Sequence, residues 1–218
     1  MAEAVRFEIS DGVARIGMDR APANGLVAQM RAGLLQALER AETDDSVRAV
    51  VLHGLGQVFS SGLDISEYDH KLEAPDIATL CAAVENCTKP VVAALHGQVM
   101  GAAFDLALAC HSRVAAVGTR LAYPEITLGL IPSGGGTQRL PRILGAELAL
   151  SLLMEGQPVT AEDPRLAPLF FRVQAENTLE TAEMRARAMA GDARLNRTRE
   201  RVEGLINPGR FQAAVRKA

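Results

Sequence analysis

Apolar residues change their spacing repeatedly along this chain, and each change marks an element. Val5–Ile9 and Val13–Met18 meet at Asp11-Gly12, which predicts a hairpin of two short strands. Arg20-Ala21-Pro22-Ala23-Asn24-Gly25 reads as a loop. Val27, Met30, Leu34, Leu35, Leu38 and Ala41 then recur at helical spacing and predict an amphipathic helix to about Glu42. Ala49–His53 is a short apolar run, expected as a buried strand, and Val58-Phe59-Ser60-Ser61 is a second brief segment that ends at Gly62. Ile77, Leu80, Cys81, Val84 and Cys87 predict another helix, stopped before Pro90.

The stretch Val91–Cys110 organises the rest. It opens as a β-rich apolar run, breaks at Gly97 and again at Gly101, and continues as an apolar helix carrying one acid, Asp105. Arg113–Val117 and Leu121-Ala122 are expected as strands, followed by Pro124-Glu125 and Leu128–Pro132. Ser133-Gly134-Gly135-Gly136 is a flexible loop that delivers Thr137 to a helix N-cap, and Ala146–Glu155 is helical. Strand–strand–helix units in this alternation predict an α/β layer protein. Beyond Gly156, Pro158, Pro164 and Pro168 interrupt any long helix. Residues 1–155 therefore form the expected core, and residues 156–218 a small helical appendage rich in Arg and Glu. Its expected helices are Leu179–Ala190 and Arg194–Ile206, closed by Asn207-Pro208-Gly209.

Two glycine turns, Ser61-Gly62-Leu63-Asp64 and Gly101-Ala102-Ala103, each end a predicted strand. If both strands belong to one parallel sheet, both turns lie at its carboxyl edge, where α/β folds collect ligands. A strand feeding a helix leaves amides unpaired at the helix start, and the dipole there favours negative charge. Two amides from separate turns can converge on one oxygen, the arrangement that stabilises an enolate or tetrahedral oxyanion. Asp105, alone among apolar residues, is either solvent-facing or buried with a raised pKa. Glu125, fixed beside Pro124, is a similar acid, and two carboxylates in one pocket suit general acid/base work.

Other chemistries fall away. Ser60 and Ser61 sit in no G-x-S-x-G elbow. His53, His70, His96 and His111 form no metal-ligand spacing, and no Lys-Ser or Lys-Thr follows Ser133–Gly136 to make a P-loop. A net charge of −3, 4% aromatic residues and no Trp argue against a nucleic-acid binder. Cys81, Cys87 and Cys110 are expected as free buried thiols of a reducing compartment. No apolar run reaches the ~18 residues of a membrane span, and MAEAVRFEIS lacks a signal-peptide core. A cytoplasmic location with no membrane partner is the expectation.

Four motifs in order carry a resemblance: MDRAPANGL (Met18–Leu26), FSSGLDISEY (Phe59–Tyr68), KPVVAALHGQVMGAAFDLALACHSRVAA (Lys89–Ala116) and YPEITLGLIPSGGGTQRLPRILG (Tyr123–Gly145). Over roughly residues 5–160 the chain resembles the crotonase (enoyl-CoA hydratase/isomerase) family, and most closely the hydratase half of bifunctional hydratase/3-hydroxyacyl-CoA dehydrogenases. No G-x-G-x-x-G fingerprint of a dehydrogenase half occurs. The resemblance implies a crotonase-like spiral of ββα units and a helical C-terminal region used in homotrimer or dimer-of-trimers assembly. It also implies an acyl-CoA thioester ligand, with no cofactor beyond the coenzyme A of that substrate. It places the oxyanion-hole amides at Ser61 and Ala102, and the CoA contacts at the backbone of Leu63, Asp64 and Ile65 with Arg20 near a phosphate. Asp105 and Glu125 fall on its two hydratase carboxylates: the first positions and deprotonates water for C3, the second exchanges the C2 proton.

Three departures stand out against that family. Asp105 replaces a Glu and is one methylene shorter, withdrawing the carboxylate by about 1.5 Å. GAAFD replaces a glycine-rich GGG segment, and AEDPRLAPLFFRV replaces the usual Ala-x-x-x-Gly-Leu-Val. The leading expectation is a 2-enoyl-CoA hydratase using Glu125 and Asp105. The alternatives are a double-bond isomerase using Glu125 alone and a non-catalytic acyl-CoA binder.

Overall fold

The computed structural model describes residues 4–67, 73–192 and 194–205, with single positions 209, 212 and 216. Tyr68, His70, Ile206 and the Asn207-Pro208 stop lie outside the described residues. The hairpin forms as expected from β1 (Val5–Ser10) and β2 (Val13–Met18), and α1 (Ala28–Thr43) and β3 (Ala49–Gly54) follow. Then come α2 (Ile77–Asn86), β4 (Val91–Leu95), β5 (Gln98–Met100), α3 (Ala102–Ala109), β6 (Ser112–Ala116) and β7 (Arg120–Ala122). The chain continues through α4 (Gly136–Leu144), α5 (Ala146–Glu155), β8 (Val159–Thr160), β9 (Arg172–Gln174) and α6 (Thr178–Met189).

Two sheets result. The larger runs β1-β2-β3-β4-β6-β9 and is parallel except for the β1–β2 hairpin. The smaller runs β5-β7-β8. From β4 the chain steps to the small sheet as β5, returns through α3 to β6, and steps out again as β7 before α4. This is the expected ββα repeat. Covering a parallel sheet on both faces explains why its strands read as almost unbroken apolar runs. One set of alternate residues (Ala14, Ile16, Val50, Leu52, Val91, Ala93, Leu95) packs under α1, α2 and α3. The other set (Val13, Ala49, Val51, Val92, Ala94, Val114) packs against Ala182, Ala186 and Met189 of α6. All three cysteines are buried and free, and no described helix is long and apolar enough to cross a membrane.

Three expectations are corrected. Beyond residue 156 the described chain is less helical than expected: besides α6 it adds β8 to the small sheet and β9 to the edge of the large one. The expected Arg194–Ile206 helix is two short 3₁₀ turns, Thr198–Glu200 and Glu203–Leu205. Its polar groups bond across the fold, Thr198 Oγ1 to the Leu108 carbonyl and Arg197 Nε to the Glu85 carbonyl, rather than along a helix. Thr137 is no N-cap either. Gly135, at φ +100°, precedes α4 without a side-chain cap, and the anion at this helix start is Asp105 from α3.

Candidate active site

The first turn is stitched to the loop before α1. Asn24, buried and in the left-handed region at φ +50°, donates from Nδ2 to the carbonyls of Leu55 and Val58, both at 2.9 Å. Its carbonyl accepts from Ser60 Oγ at 2.7 Å, and that oxygen takes the Gly62 amide at 3.1 Å. The Ser61 amide donates to the Ala23 carbonyl at 2.9 Å. Ser61 is therefore corrected as an oxyanion donor, because its N–H is already committed. Gly62, at φ +90°, swings the chain over, and the next amide, that of Leu63, has no acceptor among the described residues.

The second turn abuts the first. A bridge between Ser60 and Val99 joins them, with the Met100 amide donating to the Ser60 carbonyl at 3.2 Å. A β-carbon on Gly62 would collide with the Met100 carbonyl and come within 3.3 Å of the Ala102 nitrogen. Gly101, at φ +53°, reverses the chain into α3 and its carbonyl accepts from Phe104 and Asp105. The Ala102 amide opens the helix with no acceptor among the described residues. Ala102 thus stays a free donor, facing a turn whose free donor is Leu63.

Glu125 lies on a 3₁₀ turn, Pro124–Leu128, directly after β7. It is 9% exposed. Its carboxyl crowds Gly101 so closely that a β-carbon there would strike Oε1. Oε2 is buried without a hydrogen-bond partner among the described residues. Burial pushes this carboxyl from 4.5 up to about 7; its own backbone amide opposes the shift, and the charge of Asp105 adds a lesser push upward.

Asp105 is fully buried and held by donors on both oxygens. Tyr123 Oη donates to Oδ1 at 2.9 Å, the Gly134 amide donates to Oδ2 at 2.7 Å, and the Gly136 amide adds a third bond. Burial raises its carboxyl above the usual range, while these donors and the nearby Arg139 charge pull the other way. Tyr123, itself fully buried, stacks on Phe104 with ring centroids 4.9 Å apart. Neither Asn24 nor Tyr123 emerged as a site residue from the sequence. The signals were an Asn-Gly pair inside a loop, which marks left-handed backbone, and one of only two tyrosines, placed two residues before Glu125.

A cleft of about 560 Å³ opens beside the first turn, with Arg20, Leu63 and Asp64 among its walls. Arg20 Nη1 donates to Asp64 Oδ2 at 3.0 Å, and bonds from Ser66, then Arg20, hold the Asp64 carboxyl below the usual range. Ile65 starts a short 3₁₀ turn directly after Asp64.

The sequence model of the family described as Enoyl-CoA hydratase/isomerase matches residues 8–199. The chain belongs to the enoyl-CoA hydratase/isomerase family. Among its relatives, the peroxisomal bifunctional enzyme of Danio rerio is 40% identical over 178 residues, 81% of this chain and 25% of that protein. The peroxisomal fatty acid beta-oxidation multifunctional protein AIM1 of Arabidopsis thaliana is 37% identical over 162 residues, 71% of this chain and 22% of that protein. The chain thus spans about a quarter of the length of these relatives. An enoyl-CoA hydratase structure from Bacillus anthracis superposes with a TM-score of 0.79 at 30% identity, covering 87% of this chain and 77% of that one. The α/β architecture is that of this crotonase-type family.

Proposed function

We propose that this family member is an acyl-CoA enzyme in which Glu125 moves a proton at C2 of an enoyl thioester. The amides of Leu63 and Ala102 hold the thioester oxygen as enolate charge develops on it. The cleft lined by Arg20 and Asp64 takes the CoA moiety. The observation that carries this reading is the buried Oε2 of Glu125, unpartnered among the described residues, on a carboxyl poised near neutrality that packs against Gly101, the residue before the free helix-start amide.

The two reactions in view differ in what they ask of Asp105. Migration of a double bond from C3 to C2 takes a proton from C2 and returns one to C4, which a single carboxyl can do. Hydration adds water at C3 and needs a second group to orient it. Asp105 meets no solvent, and three donors occupy its oxygens. The geometry favours migration. Hydration is the second reading, favoured by the hydratase name of the Bacillus anthracis structure and by the presence of a second buried carboxyl.

A 3-enoyl-CoA should gain the absorbance of a conjugated thioester, and Glu125→Gln should abolish that gain. Loss of absorbance from a 2-enoyl-CoA would establish hydration instead. Binding of both with no change in either would show a non-catalytic binder and overturn the proposal. Assembly as a homotrimer or dimer of trimers belongs to the same reading. The exposed Ile126, Leu128, Leu130 and Ile131 beside Glu125 supply apolar surface for it, and light scattering of the purified chain tests the mass.

A further inference from the structure

A buried ion pair between α2 and α4 takes no part in the chemistry above, yet it ends on the same loop. Glu85, in the last turn of α2, is buried, and its Oε2 accepts from Arg139 Nη2 at 2.9 Å. Arg139 Nη1 donates to the Gly134 carbonyl at 2.6 Å, while the Gly134 amide donates to Asp105 Oδ2 at 2.7 Å. Gly134 is therefore gripped from both sides, its N–H by α3 and its C=O by α4. A third element closes the set: Glu85 Oε1 accepts the Arg199 amide at 2.8 Å, and the Glu85 carbonyl accepts from Arg197 Nε at 3.1 Å.

Stability alone explains this pair poorly. Taking two charges out of water is repaid only when the remaining lone pairs and protons are satisfied, and Arg139 Nε is buried with no partner among the described residues. Apolar residues of similar volume would fill the space without that orphan. What the guanidinium does, and an apolar side chain cannot, is hold a carbonyl in the Ser133–Gly136 loop while staying anchored to α2.

We infer that Glu85 and Arg139 are positioning residues that fix the Gly134 peptide against Asp105, and so set the wall of the pocket that faces Glu125. This rests on reading Glu125 as the acid/base group. Neither residue touches substrate. Each acts through Gly134, where a displacement of ~1 Å is enough to cost ~100-fold in rate.

Two variants test it. Arg139→Lys keeps the charge but cannot span Gly134 and Glu85 together, and Glu85→Gln keeps the shape without the charge. Amide hydrogen exchange followed by NMR should show Gly134 exchanging at least about tenfold faster in both variants, with β4 amides unchanged and the thermal midpoint nearly constant. On whichever thioester the wild type converts, kcat should fall about 10- to 100-fold with KM within about twofold. In an Asp105→Asn background the Lys substitution should change kcat less than about twofold, because the path runs through Asp105. Unchanged Gly134 exchange, or faster exchange spread evenly over α2, α4 and β4, overturns the inference. Equal kcat loss with and without Asp105 overturns it as well. If the wild type converts no thioester, the enzymatic reading fails, while the Gly134 exchange still decides whether the pair positions that peptide.

Discussion

Glu125 and Asp105 are two buried carboxyls near enough for the charge of Asp105 to raise Glu125, and burial is the first cause that raises both. What separates them is partners. Asp105 has a phenol, two backbone amides and a guanidinium nearby, all favouring its charged form. Glu125 has its own amide and an oxygen with no hydrogen-bond partner among the described residues. The first carboxyl behaves as the anion that closes a helix start and holds a glycine loop. The second, on the proposed reading, is the group that exchanges a proton. Burial is common to both carboxyls; the unfilled hydrogen-bonding capacity of Glu125 is what sets them apart.

The largest effect should come from Glu125→Gln. A positioned general base is worth about 10²–10⁴ in rate, so turnover should drop by that factor while acyl-CoA binding changes only a few-fold, read by calorimetric titration beside the absorbance assay. Substantial turnover in this variant would erase the distinction between the two carboxyls.

Next in size is the donor opposite them. Ala102 is the first residue of α3, a position that tolerates proline because its N–H has no helical acceptor. Ala102→Pro should keep the circular dichroism of the wild type and lose about 10²–10³ in kcat, the typical value of one oxyanion donor. Full activity would show that the thioester oxygen is held elsewhere.

The comparison also has a pH signature. A carboxyl raised to about 7 in the folded state, from 4.5, binds its proton more tightly folded than unfolded. Its contribution to stability is therefore fully present below pH 4.5 and is lost as pH rises through about 7. Glu125→Gln does not titrate and escapes that loss. In urea unfolding, the variant should gain on the wild type between pH 4.5 and pH 8, by at most about 3 kcal/mol. Activity should run the other way, rising through pH 7 as the base ionises. A stability difference independent of pH would mean Glu125 has an ordinary carboxyl.

The alternation of apolar spacing placed most strands and most helices to within a residue or two, because both faces of the main sheet are covered and the pattern is strong, but it missed the short β8 and β9. It also placed both glycine turns and both acids. It failed wherever long-range bonds decide. Nothing local distinguishes the Ser61 amide from that of Leu63; the difference is the Ala23 carbonyl, which arrives from a loop some forty residues earlier in the chain. Thr137 looked like a cap because the true counter-ion of α4 belongs to another helix. The segment after Arg194 reads as helix by composition, but its groups are bound by Glu85, Asn86 and Leu108.

The smallest effect, and the sharpest for the choice between reactions, is expected from Tyr123→Phe. It deletes the donor to Asp105 Oδ1 and keeps the ring stacked on Phe104. Leaving a buried acceptor short of one partner costs about 1–3 kcal/mol, visible in urea unfolding. The Gly134 and Gly136 amides still hold the other bonds, so Asp105 stays in place with one lone-pair site open. If Asp105 is only an anchor, double-bond migration through Glu125 continues within a few-fold of the wild-type rate. If that freed oxygen accepts a water, loss of 2-enoyl-CoA absorbance should appear or strengthen in the variant. Asp105 would then be a second acid/base group restrained by Tyr123, and the contrast between the two carboxyls would be one of access rather than of kind.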